Sequence, residues 1–131
     1  MEKSSYAIRK SLSIPYAEAV EKVTQGLKGE GFGVLTEIDV KQTLKKKIDK
    51  DFRKYVILGA CNPNLAYQAL QTEREIGVLL PCNVVVYEND EGSATVCAMD
   101  PVPAMSFVEN PELGKIAAEV RQKLEKVLRG L

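Results

Sequence analysis

The sequence predicts an α+β domain with a mostly antiparallel sheet and helices packed on one face. Segments in which every second residue is apolar, typical of half-buried strands, are interspersed with segments whose apolar residues recur every three or four positions, typical of helices. The predicted order is strand, helix, strand, strand, helix, strand, strand, helix. The last two strands are joined by a tight turn at 89–92, so they pair antiparallel. A length of 131 residues fits a single domain over residues 1–131.

The chain begins with a predicted strand, helix and second strand. Residues 6–14 and 32–40 both place apolar side chains at every second position. Between them, Pro15 suits the first turn of a helix, and the glycines after residue 28 suit its end. The apolar face of this helix carries Tyr16, Val20, Val23 and Leu27.

A strongly basic segment follows at residues 41–54, where seven of fourteen residues are basic and two are acidic. Apolar residues recur there every fourth position, which predicts a short amphipathic helix or a charged excursion from the fold. Lysines and arginines in such a run could contact phosphates, but the overall charge of the chain is balanced. We therefore expect a solvated or edge-protecting surface at this segment.

The second half begins with an apolar run at residues 55–60 that predicts a buried strand. Asn62 then has the character of a helix N-cap, and Pro63 suits the first position of the helix. The apolar residues 77–87 predict the next strand, with an edge, a bend or a strand start at Pro81 because proline cannot donate a hydrogen bond to a sheet.

The chain ends with a strand, a loop and a long helix. Residues 93–99 predict the second arm of a hairpin, and residues 100–105, which contain two prolines, predict a loop. Asn110 and Pro111 repeat the capping pattern of Asn62 and Pro63. The apolar stripe of the final helix comprises Leu113, Ile116, Ala117, Val120, Leu124, Val127, Leu128 and Leu131.

Composition excludes several function classes. Lysine plus arginine and aspartate plus glutamate number 18 each, so no global field attracts nucleic acid or an anionic membrane, and we expect neither partner. The sequence contains no apolar window of about 18 residues that would predict a membrane span. Because the first residues do not have the pattern of a signal peptide, we expect a cytoplasmic location.

The chain contains no histidine. This absence removes Ser-His and Cys-His nucleophile pairs and histidine metal ligands, so the common hydrolase and protease mechanisms are not available. We predict no cofactor, and the balance of these observations argues against an enzyme.

The sequence contains two Cys-Asn motifs. Cys61-Asn62 follows the apolar residues 55–60, and Cys82-Asn83 directly precedes the apolar residues 84–87. If Asn62 caps a helix, Cys61 precedes the helix N-terminus, where partial positive charge favours a reactive thiolate that Cys82 could resolve. The alternative is that Cys61 packs as a small hydrophobic residue, as free cysteines commonly do.

Metal binding is a further hypothesis for the three cysteines. They are separated by 21 and 15 residues, whereas structural zinc sites usually contain ligand pairs two to four residues apart. Three thiolates with Asp100 or a water as the fourth ligand would make such a site. For Asp100, at the end of a predicted strand, we expect instead a role in capping its own loop.

Three segments carry a resemblance to a known family: GACNP at 59–63, LLPCNVVVYE at 79–88 and MDP at 99–101. With the long C-terminal helix, they resemble the family known as domain of unknown function 302. The resemblance covers essentially the whole chain and implies an α+β fold similar in outline to the TATA-binding-protein-like fold, and a homodimer. It implies no activity. The positions that match its motifs are Cys61, Asn62, Pro63, Pro81, Cys82 and Asn83.

The function that we predict from the sequence is a non-catalytic, homodimeric module that binds a small apolar or mixed ligand or a partner. A long helix over a curved antiparallel sheet leaves an apolar cleft, which the motif residues would line at one end. The helix stripe is longer than one small sheet needs, so part of it would form an isologous interface. The candidate site comprises Cys61, Asn62, Pro63, Pro81, Cys82, Asn83 and Asp100.

Overall fold

The computed structural model describes all 131 residues and contains six strands and five α-helices. The strands are β1 (Glu2–Lys3), β2 (Ala7–Pro15), β3 (Gly33–Asp39), β4 (Tyr55–Cys61), β5 (Cys82–Glu88) and β6 (Ser93–Met99). The helices are α1 (Tyr16–Gly29), α2 (Val40–Ile48), α3 (Pro63–Thr72), α4 (Pro101–Met105) and α5 (Pro111–Arg129), and a 3₁₀ helix spans Arg74–Leu79. None of the helices has the combination of length and apolar character that crossing a membrane requires.

The strands form one sheet in the order β1-β2-β6-β5-β4-β3, and every neighbouring pair is antiparallel. The predicted α+β class with an antiparallel sheet is therefore confirmed. Both edges of the sheet are poorly suited to pairing with another strand. At one edge β1 has only two residues, and at the other the β3 register shifts between Val34 and Thr36.

The main core lies between one face of the sheet and helices α1 and α5. Because side chains alternate across a strand, every second residue of β4, β5 and β6 points to the helices and is buried. Twenty buried residues form this cluster. Its fully buried side chains include Ile8, Val23, Leu27, Val84, Val86, Val96, Leu124 and Leu128. The helices thus cover one face of the sheet, as predicted.

A smaller group of buried residues, here called the satellite cluster, joins α3, the 3₁₀ helix and α4 to the first half of α5. It comprises Ala69, Ile76, Met105, Leu113 and Ala117. From Leu113 to Leu128 the α5 stripe therefore packs within its own chain: its residues there are buried, except Ile116, which is half-buried against both clusters. The expectation that this stripe leaves a surplus for a dimer interface is wrong, because the satellite cluster uses the part that the sheet does not reach.

Three local predictions need correction. Residues 77–81 are not strand: the 3₁₀ helix continues to Leu79, and β5 begins at Cys82, since the apolar residues here serve the satellite cluster. Residues 100–105 are not a loop, because the Asp100 side chain accepts a hydrogen bond from the Val102 amide and starts α4. Pro15 is the residue before α1 and not its first residue.

The basic segment contains helix α2, as one of the two predicted alternatives stated. The Asp39 carboxylate accepts a hydrogen bond from the Gln42 amide and caps the helix, which has no buried residue. Lys45 lies 2.9 Å from Asp49 and 3.5 Å from Asp51, so part of the positive charge is neutralised locally. This is an exposed helix whose charges face solvent.

Candidate functional site at the two Cys-Asn motifs

The register of the sheet brings the two Cys-Asn motifs together. In the β4–β5 pair, Ala60 lies opposite Cys82 and Gly59 lies opposite Asn83. Because β4 ends at Cys61 and β5 begins at Cys82, both motifs lie at the same end of the sheet. The two strands that carry the motifs are therefore neighbours in the sheet.

Asn62 connects the start of α3 to the end of α1. Its side-chain oxygen accepts a hydrogen bond from the Leu65 amide at 3.3 Å, which is the predicted N-cap. Its side-chain nitrogen donates to the Glu30 carbonyl oxygen at 3.4 Å. Gly31 has a φ of 85°, and a Cβ there would lie 3.1 Å from the Asn62 amide nitrogen, so glycine serves both the turn and this approach. Both polar groups of Asn62 are thus used within the fold.

Gly59 lies in the interior of β4, next to the motif. A Cβ at this position would overlap the Thr36 hydroxyl and lie 2.9 Å from Cγ of Pro81. The glycine therefore allows β3 and the residue before β5 to approach β4 closely. Sequence analysis did not single out Gly59, although a glycine inside a predicted buried strand is the kind of signal that marks such an approach.

An apolar pocket of about 30 Å³ lies behind the motifs, and we call it the seam pocket. Twelve of its fourteen lining residues are hydrophobic, and the other two are Asn62 and Pro81. Cys61 and Cys82 line it from the sheet, while α3, α4 and α5 contribute residues such as Ala66, Met105 and Ile116. In this closed form its volume is about that of one water molecule in the liquid. The apolar cleft expected between helix and sheet is therefore a pocket of this small size.

Four of the seven candidate residues line the seam pocket, and three do not. Pro63 and Asn83 are exposed to solvent. Asp100 is 2% exposed and lies outside the pocket, where its carboxylate is 3.2 Å from the Arg121 guanidinium and caps α4. The expectation that Asp100 caps its own backbone is confirmed. Its ion pair to α5 was not predicted, since a contact between distant positions has no local pattern.

The pKa values of both pocket thiols are shifted upward. Burial raises the pKa of Cys61 above its ordinary value of 9.0. Burial and, to a smaller extent, the neighbouring Cys61 raise the pKa of Cys82 to about 11. Of the two sequence hypotheses for Cys61, a thiolate stabilised by the helix end requires a lowered pKa, and this shift has the opposite direction. Desolvation by the surrounding apolar side chains disfavours the thiolate of Cys61.

The third cysteine lies on the opposite face of the sheet. Cys97 follows Val96 and precedes Ala98, both of which point into the core, so its side chain points away from the helices. Burial raises the pKa of Cys97, and Arg9 partly opposes that shift. No cluster of three or more histidine, cysteine, aspartate or glutamate side chains is arranged to hold a metal ion. The hypothesis of a site made by three thiolates and Asp100 is contradicted by this separation.

Comparison with known proteins agrees with the resemblance carried by the motif segments. The model of the family described as domain of unknown function DUF302 matches residues 8–131. Among solved structures, the chain is similar to the crystal structure of an uncharacterized conserved protein DUF302 from Bacillus stearothermophilus. The two are 30% identical, the match covers 96% of this chain and 98% of that chain, and the TM-score is 0.89. No curated protein matches the chain.

Proposed function

The chain belongs to the DUF302 family, and we propose that it is a non-catalytic, homodimeric module that binds a small apolar ligand in the seam pocket. The observation that carries this proposal is the convergence of both Cys-Asn motifs on one pocket whose lining is almost entirely hydrophobic. A mostly hydrophobic lining with few polar groups is what small-ligand sites share, and this pocket of about 30 Å³ would have to widen to serve as one.

The chemistry of the lining supports an apolar ligand. Asn62 is the one polar residue that lines the pocket apart from the thiols, and its oxygen and nitrogen are already bonded to Leu65 and Glu30. No carboxylate or lysine lines the pocket. A charged ligand would therefore lose its hydration without gaining a partner, whereas an apolar ligand would gain burial.

The same lining supports a non-catalytic role. Cys61 and Cys82 are the titratable groups of the pocket, and the pKa of each is raised by burial. Neither thiol is then ready to act as a nucleophile or a base at neutral pH. Binding without reaction is what remains for this set of side chains.

The pocket needs to widen to hold more than one small group, and its place in the fold supports such widening. It lies at the seam between the main core, with twenty buried residues, and the satellite cluster, with five. A small cluster packed through few apolar side chains opens at lower free energy than a large core does. Met105, a flexible unbranched side chain of the satellite cluster, lines the pocket and can repack around a ligand.

A titration with 1-hexanol followed by amide chemical shifts in NMR spectra tests this proposal. We expect saturable shifts around Ala66, Met105 and Ile116 in the wild-type protein. The variant Ala66→Met, which fills the pocket from α3, should lose these shifts. The matched control Ala118→Met changes an exposed alanine of α5 that does not line the pocket, and should keep them.

Two outcomes of the titration count against the proposal. One is the absence of saturable shifts in the wild-type protein. The other is an equal response of Ala66→Met and the wild type, since the probe would then bind elsewhere on the surface.

A further inference from the structure

The face of the sheet opposite the helices carries an apolar row across its central strands. Ile38, Ile57, Val85 and Cys97 are paired neighbours on β3, β4, β5 and β6, and Arg9 on β2 ends the row. Neither the main core nor the satellite cluster includes any of these residues. We call this surface the open face.

Aromatic side chains extend the apolar row on the open face. Tyr55 and Tyr87, paired on β4 and β5, stack with ring centroids 5.7 Å apart and planes at 11°. Phe52, which is 42% exposed, lies against Tyr55 with a centroid separation of 6.0 Å. Tyr6 is 71% exposed. A continuous apolar and aromatic patch of this kind on a sheet usually marks an interaction surface.

Charged residues lie around this patch and are paired with each other. The Arg9 guanidinium is 3.4 Å from the Glu2 carboxylate, and the Arg53 guanidinium is 3.1 Å from the Asp90 carboxylate. An apolar, aromatic centre with a paired polar rim is the anatomy of a protein–protein interface. Tyrosines on a sheet can also stack nucleic-acid bases, but the guanidinium groups of Arg9 and Arg53 at the rim are each paired with a carboxylate.

The open face is large enough to supply much of the area that a stable dimer buries. Seven-residue strands are about 23 Å long, and the five longer strands together are about 24 Å wide, which gives a flat area of roughly 550 Å². Side-chain relief increases the accessible area toward the roughly 800 Å² per partner that specific interfaces bury. Other routes to a dimer are less available, because the α5 stripe is buried and the sheet edges are short or bulged.

We propose that a second copy of this chain covers the open face, in a face-to-face dimer with its two-fold axis near Val85 and Cys97. An isologous interface places a patch against itself, and β5 and β6 are the two central strands of the six. The Cys97 thiol then lies close to the partner subunit's Cys97. This inference rests on the dimer part of the proposed function and is independent of the seam pocket.

Sedimentation velocity from 1 to 100 µM protein tests the interface. We expect the wild type to be a dimer. In Val85→Glu a carboxylate would be buried at the centre of the interface, so we expect the dissociation constant of the dimer to increase at least tenfold. The matched control Val78→Glu alters a side chain that is 85% exposed on the 3₁₀ helix and should leave the dimer intact. Circular dichroism of each variant verifies that it is folded.

Cross-linking gives a second test that does not depend on the stability of a variant at Val85. Bismaleimidoethane adds one thiol across each of its two double bonds, without an oxidant. We expect a cross-linked dimer from the wild type and its loss in Cys97→Ser, in which Cys61 and Cys82 remain.

The outcomes separate this inference from the rest of the proposed function. The open-face interface would be overturned if folded Val85→Glu formed a dimer as stable as the wild type, or if cross-linking persisted in Cys97→Ser. The protein would then be a dimer through another surface. A wild type that is monomeric at 100 µM would contradict both the open-face interface and the dimer of the proposed function. The hexanol titration would still test ligand binding in the seam pocket. A monomer that binds single-stranded oligothymidylate through Tyr55 and Tyr87 would assign the face to nucleic acid instead.

Discussion

Cys61 and Asn62 are adjacent, and the structure gives them different tasks. The Asn62 side chain is fully occupied in joining α3 to α1 through Leu65 and Glu30. Cys61, half-buried, contributes its side chain to the seam pocket and makes no ionic contact that would stabilise a thiolate. The motif is therefore one structural residue beside one pocket residue.

Alkylation of the native protein with iodoacetamide tests the state of the thiols. We expect Cys61 to react more slowly than free cysteine at pH 7, because burial raises its pKa and leaves a smaller thiolate fraction. Its rate should increase with pH and keep rising above pH 9.0, the ordinary value. Cys82, with a pKa of about 11 and 6% exposure, should react only after unfolding.

Peptide mapping assigns the label to each cysteine, and the unfolded protein serves as the control. A native Cys61 that reacts faster than free cysteine at pH 7 would contradict the assigned direction of the pKa shift. It would restore the hypothesis of thiol chemistry at this site.

At this scale the sequence predicts what depends on neighbours along the chain. The capping roles of Asn62 and Asp100 follow from a polar side chain beside proline, and the structure confirms both. The upward pKa of Cys61 and the ion pair of Asp100 with Arg121 do not follow from any local pattern. Both depend on α5 and the lining of the pocket, which distant parts of the chain supply.

Helices and strands whose periodic apolar pattern continues over many residues were predicted well, whereas short apolar runs were not. The 3.6-residue period of α5 identifies its buried stripe, and the alternation in β2 identifies its inward face. Residues 77–81 are apolar in either structure, so a short run could not distinguish a 3₁₀ turn from a strand. Which cluster each half of α5 packs against is likewise a property of the tertiary fold.

Hydrogen exchange tests whether the satellite cluster is the less stable part of the fold. Amides of α3, the 3₁₀ helix and α4 should exchange faster than those of β4, β5 and β6, because five buried residues hold the first group and twenty hold the second. Exchange followed by mass spectrometry resolves these segments. Equal protection of the two groups would contradict the widening of the seam pocket.

The whole molecule has a helix-covered face and an open face, and each receives a different task in this account. Sequence patterns predicted the α+β class and helices on one face, since inward and outward residues alternate along each strand. They did not predict the order β1-β2-β6-β5-β4-β3, on which both the meeting of the two Cys-Asn motifs and the row from Ile38 to Cys97 depend. The seam pocket and the open face therefore both depend on how strands distant in sequence pair with each other.

Native mass spectrometry of the freshly purified protein is the most direct test of the central claim, that the pocket between the two Cys-Asn motifs holds an apolar ligand. We expect a mass above that of the protein chains by one small molecule per chain. Ala66→Met should lose this excess, and Ala118→Met should retain it. A wild-type spectrum that contains only bare protein masses would contradict the claim.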